Sequence, residues 1–162
     1  MHRPNHLIIF ARQPHYGVGK TRLANRTSKW EAWQFQRRQI LSLCKLAQDP
    51  RWSFSFCWEH RQGPGDLGTR ISRALGGTHG QKRLIVGGDT LGLTALHIDH
   101  AFELIGARSP VLGPSQDGGF WCIGSAGPIR LTGIRWSSEH TLSDTSKLLK
   151  NHKYTNTLCD LD

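Results

Sequence analysis

No stretch of the sequence approaches the roughly 20 consecutive apolar residues that a membrane-spanning helix requires. The first apolar run, Leu7-Ile8-Ile9-Phe10, is too short for the core of a secretory signal peptide. A membrane span is therefore not expected, and a reducing, cytoplasmic setting is. The CxxC spacing is absent too: Cys44, Cys57, Cys122 and Cys159 are widely scattered, which removes a zinc knuckle and a dithiol redox motif. Each lies in an apolar stretch, as buried free thiols do. The nine histidines show no metal-ligand spacing. There is no internal repeat, linker or low-complexity tract.

Negative charge is scarce. Twelve Asp and Glu stand against 21 Lys and Arg, for a formal net charge of +9. That balance attracts anions, whether nucleic acid, acidic lipid or small polyphosphates, or serves solubility alone. The cations form no long run; the densest pair, Arg37-Arg38, is expected on a solvated helix face. What the chain does have is glycine, 18 residues of it, often beside charged residues. Such loops can bring backbone close to a ligand. With 37% apolar and 20% charged residues the chain is expected to be globular. Its 162 residues fit a single domain over 1–162.

The apolar patterning alternates between strand and helix. Leu7–Phe10 reads as a buried parallel strand. Ser28 and Glu31 have capping-box spacing, and Trp30, Trp33, Ile40, Leu41, Cys44 and Ala47 follow at helical intervals, predicting a helix over 29–47 with those residues on its core side. Trp52, Phe54, Phe56 and Trp58 alternate as one face of a strand. Further strands are expected at Leu84–Val86, Pro110–Leu112, Phe120–Ile123 and Tyr154–Leu158. Short helices are expected after Arg70, after the capping residue Thr94, and over Thr141–Lys150. Strands alternating with helices predict an α/β fold with a mainly parallel sheet, whose ligands bind beyond the carboxyl ends of the strands.

Five segments carry candidate chemistry. Pro14–Arg22 ends in Gly19-Lys20-Thr21 like a Walker A loop, but Pro14 occupies the first glycine position and lacks the N–H that a phosphate nest needs. A loop that grips phosphates with Lys20, Arg22 and its amides fits better; a functionless basic loop is the alternative. In Gln62–Arg70, Asp66 can cap a helix, or the loop can lie against a base or ribose. Gly87-Gly88-Asp89-Thr90 follows a buried strand, so Asp89 can hold a divalent cation that bridges phosphates, or simply make a turn. In Gly113–Phe120, glycines beside Asp117 permit close substrate approach, while Asp117-Gly118 is also a hairpin signal. Asp160-Leu161-Asp162 places two acids on one side of a strand, as a second metal ligand or as a frayed acidic tail.

Together these segments resemble a family of bacterial GT-A-type transferases known as uncharacterised glycosyltransferases or nucleotide-diphospho-sugar transferases. Molybdenum-cofactor and phospholactate guanylyltransferases share their fold. The resemblance runs from Leu7 to Asp162. It rests on Phe10-Ala11-Arg12-Gln13-Pro14 leading to Lys20-Thr21-Arg22-Leu23, on Gly65-Asp66-Leu67-Gly68, Gly88-Asp89, Asp117-Gly118-Gly119-Phe120, Trp136-Ser137 and Asp160-Leu161-Asp162. It implies a three-layer α/β/α domain of the GT-A type with a short C-terminus. It implies donor binding by Arg12, Lys20, Arg22, Gly65, Asp66 and Arg70, a Mg²⁺ or Mn²⁺ on Asp89 and Asp162, and catalytic roles for Asp89 and Asp117. Arg12 replaces the family's usual lysine, and Leu91 stands where the family has proline. The expected reaction is metal-dependent glycosyl transfer from a nucleotide sugar to an acceptor. The alternatives are nucleotidyl transfer from a nucleoside triphosphate to a phosphorylated small molecule, and a catalytically degenerate protein that binds nucleotide or nucleic acid. Nucleic acid is not the expected partner.

Overall fold

In the computed structural model, residues 4–76 and 80–160 are described. Asp162 lies outside them. The elements in chain order are β1 (Asn5–Ala11), α1 (Thr21–Arg26), α2 (Lys29–Ala47), β2 (Ser53–Trp58), α3 (Leu67–Leu75), β3 (Lys82–Gly87), β4 (Thr90–Leu91), α4 (Ala95–Leu104), β5 (Val111–Pro114), β6 (Phe120–Ser125), α5 (Thr141–Leu148), β7 (Lys153–Tyr154) and β8 (Cys159–Asp160).

Six strands form one sheet in the order β2-β1-β3-β6-β5-β7, and β4 pairs with β8 separately. β1 is parallel to β2 and β3, β6 is antiparallel to β3 and β5, and β7 is parallel to β5. The mainly parallel sheet expected from the patterning is therefore present, with β6 as the reversed strand. The centres of β1 and β3, Leu7-Ile8-Ile9 and Leu84-Ile85-Val86, are buried on both faces. Alternate residues feed two cores. Leu7, Ile9, Leu84 and Val86 pack with Leu43 and Ala47 of α2 and with Ile98, Ala101 and Phe102 of α4. Ile8, Ile85, Leu112 and Ile123 pack on the other face with Ile71 and Leu75 of α3 and with Leu149. This is a three-layer arrangement, and it follows from the period-two alternation of strand side chains.

Local signals explain the helix starts. Ser28 accepts from the Glu31 amide at 3.1 Å, and Thr94 forms a reciprocal cap with His97. The helix predicted over 29–47 is α2. Two of its expected core residues are not in the core: Trp30 and Leu41 are exposed. The buried residues are Ala32, Leu43 and Ala47. Trp30 and Leu41 each precede a buried residue by two positions, about 200° around the helix, so they face outward. The strand expected over 154–158 is also different: β7 ends at Tyr154, and the chain pairs again only at Cys159-Asp160. All four cysteines are free thiols, of which Cys122 is fully buried. Among the described residues no helix is long and apolar enough to cross a membrane.

Candidate functional site

The parallel strands place their carboxyl ends at one edge of the sheet, where open α/β sheets bind ligands. Arg12 leaves β1 there, and the segment from Gln62 to Asp66 follows β2. Gly88 and Asp89 leave β3, and Ser115 and Asp117 leave β5. Gly88 sits against the end of β1: a Cβ at this position would come within 3.2 Å of the Ala11 Cβ. The glycine thus lets the β3 turn run close to β1 and brings Asp89 toward the loop that follows it.

That loop ends at Lys20, which begins α1 in the left-handed region at φ 50° and ψ 40°. A side chain in this conformation costs about 1 kcal/mol or more. Lys20 Nζ lies 3.1 Å from Asp89 Oδ1, with the lysine side chain 9% and the aspartate 59% exposed. The two residues singled out separately in the sequence, one for phosphates and one for a cation, are therefore partners. Arg22, on the first turn of α1, is exposed.

The C-terminal segment closes the site. Trp121 Nε1 donates to the Asn156 carbonyl at 2.7 Å. The Leu158 amide donates to Pro114 O at 3.0 Å, and the Gln116 amide to Leu158 O at 3.2 Å. The chain then pairs with β4 so that Asp160 stands opposite Thr90, next to Asp89. Burial first, and then the negative charges of Asp117 and Asp89, raise the Asp160 carboxyl to about 6, against the pull of Thr90 and Lys20. Its Oδ1 is buried without a hydrogen-bond partner. An unsatisfied carboxylate oxygen beside two further carboxylates suits a proton or a cation. Asp162, the terminal acid expected from the sequence resemblance to hold the metal, lies outside the described residues. Asp160 is the acid the fold brings to Asp89, through a two-residue ladder that no local pattern announces.

Asp117 occupies the tight connection between β5 and β6. Its Oδ1 accepts from the Ser115 hydroxyl at 2.5 Å and from the Gly119 amide at 2.9 Å. The Ser115 hydroxyl is the main reason its carboxyl is held below the usual range. Gly118 has φ +87°, and a Cβ there would run into the Glu139 carbonyl; the turn therefore requires glycine. The hairpin signal was correct, and the same turn presents Asp117 to the Asp160 side of the site.

Gly65 and Asp66 belong to the connection after β2, and Arg70 to the first turns of α3 that follows it. Asp66 caps α3, accepting from the Thr69 amide at 2.8 Å. Arg70 donates to Gln62 Oε1 at 2.8 Å, and Arg73 donates to the Gln62 carbonyl and to Pro64 O. The loop is thus fastened to its own helix. A separate cleft of about 120 Å³ lies between the Gly17–Gly19 loop and the start of α2, lined by His15, Asn25, Trp33 and Gln36 among others. Asp89, Asp117 and Asp160 do not line it. Among the described residues no three His, Cys, Asp or Glu side chains form a ready metal-binding group.

Residues 27–138 match the family described as "Uncharacterized protein conserved in bacteria (DUF2064)". The chain belongs to this family. The fold of this family member is similar to the crystal structure of a "putative nucleotide-diphospho-sugar transferase" from Desulfovibrio desulfuricans G20. The TM-score is 0.77 at 18% identity, covering 99% of this chain and 83% of that one. The α/β architecture is thus similar to that of this solved structure, in keeping with the fold that the sequence resemblance implied. No curated protein matches the chain.

Proposed function

We propose that this protein is a transferase using a nucleotide-activated donor, and that the reaction is glycosyl transfer from a nucleotide sugar. The observation that carries the reading is the meeting of Lys20, Asp89 and Asp160 at the carboxyl edge of the sheet. Lys20, with Arg12 at the start of the same loop and Arg22 on the first turn of α1, supplies the positive charge that a diphosphate needs. Asp89 holds Lys20 in place until phosphate replaces it. Gly65, Asp66 and Arg70 are assigned to the nucleoside side, because their loop leaves the neighbouring strand at the same edge.

A Mg²⁺ or Mn²⁺ ion fits Asp89 and Asp160. Such ions are commonly held by one or two carboxylates, with substrate phosphates and water completing the shell, and Asp160 Oδ1 is buried without a partner. Asp162 remains an additional candidate ligand. The ion would supply Lewis-acid stabilisation of the leaving diphosphate. Asp117, ionised and fixed by Ser115 and Gly119, is suited to orient an acceptor hydroxyl rather than to take its proton, since its basicity is reduced.

The test is thermal unfolding with a panel of nucleotide sugars and nucleoside triphosphates, with and without Mn²⁺, on the wild type, Asp89→Asn and Asp160→Asn. A ligand at a hundred times its dissociation constant adds about 2.7 kcal/mol. Donor-dependent stabilisation that weakens in both variants supports the reading. If no nucleotide stabilises the wild type, the reading fails; if the variants respond as the wild type does, only the metal assignment fails. The net charge of +9 also suits two anionic substrates, which favours nucleotidyl transfer as the second reading. Release of pyrophosphate from a triphosphate, instead of free nucleoside diphosphate from a sugar nucleotide, would select it.

A further inference from the structure

From Lys20 to Lys45 the chain has seven Lys or Arg and a single acid, Glu31, so this short stretch carries +6 of the net +9. The same region exposes large apolar side chains: Tyr16 is 60%, Val18 58%, Trp30 55% and Leu41 58% accessible. Trp30 and Leu41 are eleven residues apart on α2, three helical turns and about 16 Å, and so share one face. That face is opposite Ala32, Leu43 and Ala47, which α2 buries in the core. Tyr16 joins it through an edge-on contact with Trp33 at 6.1 Å, and Trp33 in turn packs on Trp30 at 5.1 Å. Lys29 and Arg38 are exposed along the same helix.

We propose that this face of α2, with the Tyr16–Val18 loop beside it, docks on a membrane surface rich in anionic lipid. Exposed Trp and Tyr among cations, with aliphatic side chains that can enter the boundary between headgroups and acyl chains, is the composition of an interfacial helix. Charge complementarity selects the occupant. A second copy would bring the same positive face against itself. Nucleic acid would satisfy the cations and stack on the rings, but it offers nothing for Val18 and Leu41 to enter. Anionic lipid satisfies both sets of side chains. Lys20 and Arg22 add to the local positive charge, but the inference stands apart from the transferase reading, because Trp30, Leu41, Lys29 and Arg38, on which it is tested, are not among the residues assigned to the donor or the metal.

Co-sedimentation of the full chain with vesicles tests it, comparing phosphatidylcholine alone with an equimolar mixture of phosphatidylcholine and phosphatidylglycerol. Wild type should sediment with the mixed vesicles and stay in solution with the neutral ones, and added salt should release it. The pairs Trp30→Ser with Leu41→Ser and Lys29→Glu with Arg38→Glu should each lower partitioning about tenfold or more. All four positions are exposed, so circular dichroism and melting temperature should hold. The proposal is overturned if wild type ignores the mixed vesicles, if it binds neutral vesicles equally, or if either double variant binds as wild type does. Self-association abolished by Trp30→Ser with Leu41→Ser, or binding to an oligonucleotide but not to vesicles, overturns it as well.

Discussion

Lys20 is held in a conformation that glycine would adopt without cost. Its φ of 50° costs about 1 kcal/mol, and an ion pair with a 59% exposed partner returns at most about that much. The residue therefore adds little net stability, and its position makes sense as strain kept for a ligand. Lys20→Gly is expected to unfold in urea within about 1 kcal/mol of wild type while losing its stabilisation by nucleotides. A retained nucleotide shift would remove Lys20 from the site. Asp160 makes the complementary case. Its folded carboxyl titrates at about 6, above the unfolded value of 3.8. As pH rises from 4 to 6 the unfolded chain ionises first, so this residue lowers stability across that window and its effect is complete above it. Asp49 and Asp144, held low by Arg51 and Arg135, act with the opposite sign and below that window. Thermal midpoints of Asp160→Asn, measured from pH 4 to 8, should lack the wild-type component that falls between 4 and 6, and should lie above wild type at pH 7. Identical pH profiles would show that Asp160 is not held in the environment described here.

The elements differ in how plainly the sequence announced them. β1 and β3 were legible because residues buried on both faces leave continuous apolar runs, and α2 and α4 because Ser28 and Thr94 are chemical caps. α1 was not legible: it has no side-chain cap and starts at a left-handed lysine. β4 and β8 were not, since a two-residue ladder between positions 90 and 160 is made by tertiary contact alone. The outward Trp30 and Leu41 misled because aromatic and aliphatic residues at helical spacing normally mark a core face. Site legibility follows the same division. Lys20, Asp89 and Asp117 sit in loops with glycine beside them, whereas Asp160 owes its place to the anchoring of the segment before it. Trp121 supplies that anchor through its indole N–H on Asn156 O. Trp121→Phe keeps an aromatic ring but leaves a carbonyl unsatisfied, so it should cost about 1–3 kcal/mol in urea unfolding. It should also weaken the Mn²⁺ response of the nucleotide shift, as Asp160→Asn does. If stability falls while the Mn²⁺ response is unchanged, the segment does not need this bond to deliver Asp160.

At the scale of the whole molecule, the two apolar clusters lie on opposite faces of one sheet and share its central strands. Ile8 belongs to one cluster while Leu7 and Ile9 belong to the other, and Ile85 is placed between Leu84 and Val86 in the same way. Neither face can lose its helices without exposing residues whose backbone neighbours hold the other face. A chain built this way is expected to unfold as one unit, which is the physical content of the single domain expected from its length. The tryptophans provide the means to check it. Trp52 and Trp121 are buried in the first cluster, and Trp136 packs on the second. Urea unfolding followed by tryptophan fluorescence in a Trp136→Phe variant reports Trp52, Trp58 and Trp121 of the first cluster together with Trp30 and Trp33 on α2, the helix packed on that cluster. The same experiment in a variant with Trp52 and Trp121 changed to Phe gives more weight to the second, and far-ultraviolet circular dichroism reports the helices. In the Trp136→Phe variant the two signals should give one coincident transition. Transitions that separate, with fluorescence lost at a different urea concentration from helicity, would mean that the faces fold independently, and the site at their common edge would then form only after both have docked.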